Sequence, residues 1–103
     1  MEKNAFLRIF GGSNSMKVFD YLLDLDMDFN IGDIMDGTEL SRKTVEKILG
    51  SFLENDLIKQ SRLIGKTKMY KLNFDNPIVK KLRDINAHVI QQQETRAEAL
   101  ITA

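Results

Sequence analysis

The sequence predicts a mainly α-helical protein with a small β-hairpin and a long C-terminal helix. Apolar residues recur at three- and four-residue spacing in three separate stretches, which is typical of amphipathic helices. Gly65-Lys66 joins two short runs rich in branched and aromatic residues, which is typical of a hairpin. The 103 residues suffice for one modest core. We therefore expect one compact domain, residues 1–75, followed by a helical tail, residues 76–103.

The first predicted helix is an apolar segment at residues 6–10, which we expect to pack on the core. Either Ser13 or Ser15 can cap the next helix, because a serine hydroxyl accepts hydrogen bonds from unpaired amides of the first turn. This second helix should end near residues 26–28. Its buried face is predicted by apolar residues at helical spacing: Val18, Phe19, Leu22, Leu23 and Leu25.

A short helix and a longer one follow. Asn30 can cap a helix over residues 31–36, and Gly37 is expected to end it because glycine readily adopts the left-handed conformation. Ser41 then caps a helix that runs to Asn55. Its buried stripe is predicted from three- and four-residue spacing to contain Val45, Ile48, Leu49, Phe52 and Leu53.

The hairpin is predicted at residues 57–63 and 67–73, with Gly65-Lys66 as its turn. Ile58, Tyr70 and Leu72 are the expected inward residues. Five cations are expected on the outside and at the tip: Lys59, Arg62, Lys66, Lys68 and Lys71.

Asn76-Pro77 predicts the start of the last helix, since proline at the first helical position loses no hydrogen bond. Apolar residues then follow at spacings of four, three and four: Ile78, Leu82, Ile85 and Val89. This is the a/d pattern of a coiled coil, although it covers only about two heptads. A helix of about 25 residues, or about 37 Å, is too long to lie wholly against so small a domain. We therefore expect these four residues to pair with a second subunit, and the end from Gln91 onward to fray.

The net charge is zero, with 15 basic and 15 acidic side chains, but the two signs are separated along the chain. The stretch from Asp20 to Glu39 holds seven acidic residues and no basic one. The stretch from Arg42 to Lys71 holds eight basic residues and three acidic ones. A neutral protein with this separation can present a positive face to a polyanion.

Several kinds of site are disfavoured by the composition. The chain has no cysteine, so disulfides and thiolate metal sites are excluded, and a reducing cytoplasm is expected. His88 is the only histidine, so no histidine pair can bind a metal. Asp24, Asp26 and Asp28 alternate as in an EF-hand, but the sixth position of such a loop is Phe29 instead of glycine. No catalytic motif is present, so we expect no enzyme, no cofactor and no metal. No signal-peptide pattern or membrane-spanning apolar run is present either, so we expect a cytoplasmic protein without a membrane partner.

In order and spacing these segments resemble winged helix-turn-helix transcription regulators, particularly small archaeal and bacterial ones. The resemblance covers roughly residues 6–90 and is carried by residues 8–11, 53–58 and 65–73 together with Ser41-Arg42-Lys43-Thr44-Val45. It implies that the helix after Ser41 is a DNA recognition helix and that the hairpin is the wing. The family usually has glycine two residues before the capping serine, where this chain has Glu39, so a reshaped turn is expected.

Eight residues are the candidate DNA-binding residues: Ser41, Arg42, Lys43, Thr44, Lys47, Arg62, Lys66 and Lys68. Arg42 is the best candidate for a bidentate contact to guanine, and Thr44 could contact a thymine methyl group or a phosphate. Lys43 and Lys47 could bind the DNA backbone or bases, whereas Arg62, Lys66 and Lys68 on the wing suit phosphates or the adjacent minor groove. Exposed lysines often only solvate a helix, and Lys43 could pair with Glu46. Ser41 is first a helix cap, worth about 1 kcal/mol.

The expected function is that of a homodimeric, sequence-specific transcriptional regulator that binds double-stranded DNA in the cytoplasm, associated with the nucleoid. Two-fold symmetry favours half-sites spaced by about 10 to 10.5 base pairs or multiples of this. Two alternatives stay open. One is a docking module that binds a basic protein through the acidic stretch and the polar tail, and the other is an accessory protein of DNA segregation or replication.

Overall fold

A computed structural model describes residues 13–25 and 27–102, with side chains described as far as Gln92. The described chain contains four helices and one antiparallel two-stranded sheet. Their order is α1 (Asn14–Asp24), α2 (Ile31–Thr38), α3 (Arg42–Glu54), β1 (Ile58–Ile64), β2 (Thr67–Leu72) and α4 (Pro77–Thr102). The predicted fold class is confirmed, and the predicted helix at residues 6–10 lies outside the described residues.

The first three helices begin at the caps that the sequence predicts. The side chains of Ser13 and Ser41 each accept a hydrogen bond from the amide three residues later. Asn30 forms a reciprocal box with Asp33, in which each side chain accepts from the other residue's amide at 2.9 Å. Of the two serines that could cap α1, the structure uses Ser13. That helix ends at Asp24, shortly before the predicted range.

The end of α2 differs from the prediction. Gly37 lies inside the helix, and Glu39 adopts the left-handed conformation after it, with φ of 61° and ψ of 19°. Gly37 is required by packing, because a Cβ atom there would overlap the ring of Tyr21 on α1. Glu39 stands where the family usually has glycine and adopts the conformation that glycine favours.

The core lies between the first three helices, the base of the hairpin and the first turn of α4. Phe19 and Phe52 pack edge to face in it, with ring centroids 6.0 Å apart. The predicted stripe of α3 is buried except for Leu53, which is exposed, so that part of the prediction is wrong. The fully buried residues are Val18, Leu22, Phe29, Ile34, Val45, Ile58 and Val79.

The hairpin is paired from Ile58 opposite Leu72 to Ile64 opposite Thr67. Gly65 begins its turn with φ of 62°, a conformation that glycine adopts without strain. Ser61 is the extra residue of a β-bulge in β1. On the outer edge of β2, the backbones of Phe29 and Tyr70 exchange two hydrogen bonds of 2.8 and 2.7 Å. This bridge joins the loop after α1 to the wing.

The start of α4 is fixed to the end of α3. The Asn76 side chain accepts from the amide of Ile78 at 2.9 Å and so caps the helix. The side-chain amides of Asn73 and Asn76 both donate to the carbonyl of Asp56 at 3.0 Å. Asp56 has a φ of 57°, and it turns the chain from α3 into the wing. These bonds set the direction in which the long helix leaves the domain.

Candidate nucleic-acid interface

The first turn of α3 presents polar side chains to solvent. Arg42, Lys43 and, one turn later, Lys47 are exposed, because the buried stripe occupies the opposite side of the helix. Thr44 is half-buried, and its hydroxyl oxygen accepts a hydrogen bond from Ser41 at 3.0 Å. Ser41 and Thr44 therefore have a structural role at the helix start, while the three cations point outward.

Arg42 is paired within its own helix. Its Nε donates to the carboxylate of Glu46 at 2.9 Å, and the two side chains are 65% and 51% exposed. From spacing alone Glu46 could equally pair with Lys43, but it is Arg42 that does so. A solvent-exposed pair of this kind contributes only about 0.3–0.5 kcal/mol, so the guanidinium can exchange to a stronger acceptor.

Arg62 is held at the root of the wing by Asp28. Its Nε and Nη2 donate to the two carboxylate oxygens at 2.7 and 3.3 Å, and the Ser61 hydroxyl donates to the same carboxylate at 3.0 Å. The bulge lets these two consecutive side chains reach one acceptor. The hydrogen bonds from Arg62 and Ser61 lower the pKa of Asp28 below its usual value. We call this set of contacts, Asp28 with Ser61 and Arg62, the wing latch.

Helix α3 and the wing meet around an open depression of about 440 Å³. Arg42 lines it from α3, and Lys66, Thr67 and Lys68 line it from the wing; the remaining lining residues are Asn30, Ile31, Gly32 and Tyr70. Lys66 and Lys68 are exposed, and no ion pair within the described residues engages them. Three candidate residues from two elements are thus brought together, whereas Arg62 is turned towards Asp28.

The acidic stretch between Asp20 and Glu39 is only partly a free surface. Asp20 is buried on α1, and this burial, helped by the nearby charge of Asp24, raises the pKa of its carboxyl to about 6. Asp28 belongs to the wing latch, and Asp33 completes the cap of α2. Several of these carboxylates therefore serve the fold.

The four predicted dimerisation residues lie in two environments. Ile78 and Ile85 are 58% and 39% exposed. Leu82 packs against the core of its own chain, and Val89 is buried. Val79, which the spacing did not single out, is completely buried in the first turn of α4. The exposed pair is seven residues apart and so lies on one side of the helix.

In the part of the chain that the structure describes, no group of histidine and carboxylate side chains could hold a metal ion. The helices formed by these residues are also not long and apolar enough to cross a membrane.

Comparison with known proteins shows a likeness of fold. No family model matches the chain, and no curated protein matches it either. Among solved structures, a ZitR variant from Lactococcus lactis superimposes with a TM-score of 0.64 at 18% identity, over 82% of this chain and 58% of that one. MepR, a transcription regulator of the Staphylococcus aureus multidrug efflux pump MepA, superimposes with a TM-score of 0.65 at 16% identity. The match covers 94% of this chain and 72% of that one.

AF1382 from Archaeoglobus fulgidus is closer in length to this chain. It gives a TM-score of 0.63 at 16% identity, and the match covers 84% of this chain and 96% of that one. By contrast, the match to the ZitR variant described above covers less than two thirds of that chain. The chain therefore has the winged helix-turn-helix fold, which it shares with transcription regulators of known structure.

Proposed function

We propose that the chain is a sequence-specific DNA-binding protein that acts as a homodimeric transcriptional regulator. The observation that carries this proposal is the convergence of Arg42 with Lys66 and Lys68 around one open depression. Helix-turn-helix proteins place such a helix in the major groove and a flanking element on the backbone. That MepR, which has a similar fold, is a transcription regulator also supports it.

The side chains divide into two roles. Lysines neutralise phosphates and supply affinity that does not depend on sequence, which suits Lys66 and Lys68 on the wing. Base edges are read by the start of the recognition helix, where the fork of Arg42 matches the two acceptors of guanine. Lys43 and Lys47 flank this position on the exposed side of the helix. Arg62 contributes indirectly, because the wing latch fixes where the wing stands.

A second copy of the chain would bind along α4. Ile78 and Ile85 are the exposed apolar residues that such a partner would cover. The asparagine bonds at the start of α4 hold this helix in a fixed direction relative to α3. A dimer built on α4 would therefore present two recognition helices at a fixed spacing, as a pseudo-palindromic site requires.

Two substitutions distinguish base recognition by Arg42 from phosphate binding by Lys66. Arg42→Ala is expected to relax preference at one base position, with a loss of about 1–3 kcal/mol on the best site and little loss elsewhere. Lys66→Ala is expected to weaken binding to all DNA sequences alike. It should also reduce the slope of log affinity against log salt concentration by about one. Selection of binding sites from a random duplex library, followed by affinity measurements, tests both. Equal, sequence-independent losses in both variants would contradict the division of roles.

The alternative of a protein-docking module has less support. It needs the acidic stretch as a surface, but Asp20 is buried, Asp28 binds the wing and Asp33 caps α2. The cations of α3 and the wing, by contrast, converge at one place. DNA is therefore the partner that the charge distribution fits best.

A further inference from the structure

A second open depression lies between the loop after α1, the base of the hairpin and the segment that leads into α4. Its volume is about 290 Å³, close to the lower limit of about 300 Å³ that is usual for small-molecule sites. It shares no lining residue with the depression beside α3. Its lining includes three apolar and three charged residues: Leu25, Met27, Phe74, Lys59, Lys71 and Asp75.

The charged residues of this depression are incompletely balanced. Lys59 and Lys71 are direct cross-strand partners, and like charges in that arrangement repel each other. The ammonium of Lys59 contacts the carboxylate of Asp75 at 3.4 Å, and no ion pair within the described residues engages Lys71. Asp28 also lines the depression, but both of its carboxylate oxygens accept hydrogen bonds in the wing latch. Two lysines therefore share one exposed carboxylate, which leaves a place for an anionic group.

The apolar residues of the depression are accessible from solvent. Met27 and Phe74 are 70% and 40% exposed, and Leu25 packs against the core beside them. The guanidinium of Arg83 lies 4.8 Å from the centroid of the Phe74 ring. This cation–π contact holds the ring in place although it is exposed. The depression therefore offers a preformed apolar surface next to charges of both signs.

We infer that this depression binds an apolar α-amino acid as a zwitterion. The α-carboxylate lies between the ammonium groups of Lys59 and Lys71 and relieves their repulsion. The side chain covers Met27 and Phe74. The inference goes beyond the proposed DNA-binding function and does not depend on it, because the two sites share no residue.

The α-ammonium group is required by the partner of Lys59. The pair between Lys59 and Asp75 is weak, since the two side chains are 43% and 88% exposed. A ligand carboxylate that engages Lys59 draws it away from Asp75. An α-ammonium group then supplies Asp75 with a new cation, whereas a simple carboxylic acid leaves it without one. The site is therefore expected to prefer an amino acid to the corresponding acid.

The test is a titration of the full chain with L-leucine, L-methionine and L-phenylalanine, followed by heteronuclear NMR of the backbone amides. We expect a Kd of about 0.1–1 mM for at least one of them, as suits a small ligand in an open site. The amides of Leu25, Lys71 and Phe74 should shift, and that of Arg42 should not. For leucine, isocaproate lacks the ammonium group and isoamylamine lacks the carboxylate. Each should bind at least about tenfold more weakly than leucine.

Two substitutions assign the two charges of the ligand. Lys71→Gln is expected to weaken amino-acid binding about tenfold, and Lys71→Arg should keep most of the affinity. Asp75→Asn should weaken binding of the amino acid about tenfold and leave binding of isocaproate unchanged, because isocaproate has no ammonium group. Lys81→Ala is the matched control: it removes an exposed cation outside the depression and should bind the amino acid like the wild type. Circular dichroism verifies that each variant is folded.

Three results would overturn the inference. One is the absence of amide shifts with all three amino acids at about 10 mM. Another is equal affinity of the wild type for leucine and isocaproate, which would show that no ammonium group is bound. The third is unchanged amino-acid affinity in both Lys71→Gln and Asp75→Asn. Because no DNA is present in this titration, its failure leaves the proposed function standing, and failure to bind duplex leaves the amino-acid site standing.

Discussion

Gly37→Ala is expected to destabilise the protein by about 2–3 kcal/mol. The added Cβ atom would overlap the ring of Tyr21, so α2 must move away from α1 or the ring must leave its place. Helix propensity alone gives the opposite sign, because alanine is about 1 kcal/mol better than glycine inside a helix. Equilibrium unfolding in urea measures the free energy of unfolding and decides between the two signs.

Gly50→Ala is the matched control for this substitution. Gly50 lies inside α3, and a Cβ atom there would meet nothing within 4 Å. It is expected to stabilise the protein by about 0.5–1 kcal/mol. The variant Gly37→Ala/Tyr21→Leu should recover part of the lost stability, because the two residues are in contact. If Gly37→Ala is as stabilising as Gly50→Ala, the described packing of α2 on α1 is contradicted.

Asp20→Asn is expected to stabilise the protein by about 1–3 kcal/mol at neutral pH and by much less below pH 4. Burial raises the pKa of Asp20 from 3.8 to about 6 in the folded protein. The folded state then holds this proton more tightly than the unfolded state. The stability that the proton provides is complete below pH 3.8 and is lost as the pH rises through 6. The amide of asparagine carries no charge at any pH, so the variant avoids this loss.

The measurement is the free energy of unfolding of both proteins between pH 4 and pH 8. The difference between them should grow as the pH rises and become constant above the folded pKa. Asp36→Asn is the control, since Asp36 is an exposed carboxylate on α2, and it should have little effect at any pH. A difference between Asp20→Asn and the wild type that does not change with pH would show that Asp20 is not a buried acid.

Local chemistry explains why much of the fold could be predicted from the sequence. The caps Ser13, Asn30 and Ser41 act on amides within one turn, so the residue type and its place before an apolar stripe suffice. Gly37 could not be assigned in this way. A glycine near the end of a helix can either adopt the left-handed conformation that ends it or allow two elements to approach closely. Only the position of Tyr21 shows that Gly37 has the second role. Leu53 fits the helical spacing, but the packing of the domain leaves it exposed.

The candidate site, too, could be predicted from the sequence only in part. The cations of α3 and the wing could be predicted because helical and hairpin periods place them on exposed faces. The wing latch could not, since it joins Asp28 to Arg62, 34 positions later, through a bulge that the alternation of residues does not reveal. It changes the role proposed for Arg62 from a DNA contact to a positioning residue. Pairing of the tail with a second subunit stays a prediction, as does the fraying of its end.

The central claim is that α3 and the wing form one DNA-binding face. Binding of a random-sequence duplex should be measured by fluorescence anisotropy for the wild type and two double variants. Arg42→Glu/Lys68→Glu reverses two charges at this face. Lys80→Glu/Lys81→Glu makes the same change in net charge on exposed residues of α4. We expect the first variant to lose duplex binding by at least about 100-fold at low salt, while the second keeps most of its affinity. Equal losses in both variants, or no binding by the wild type, would contradict the claim.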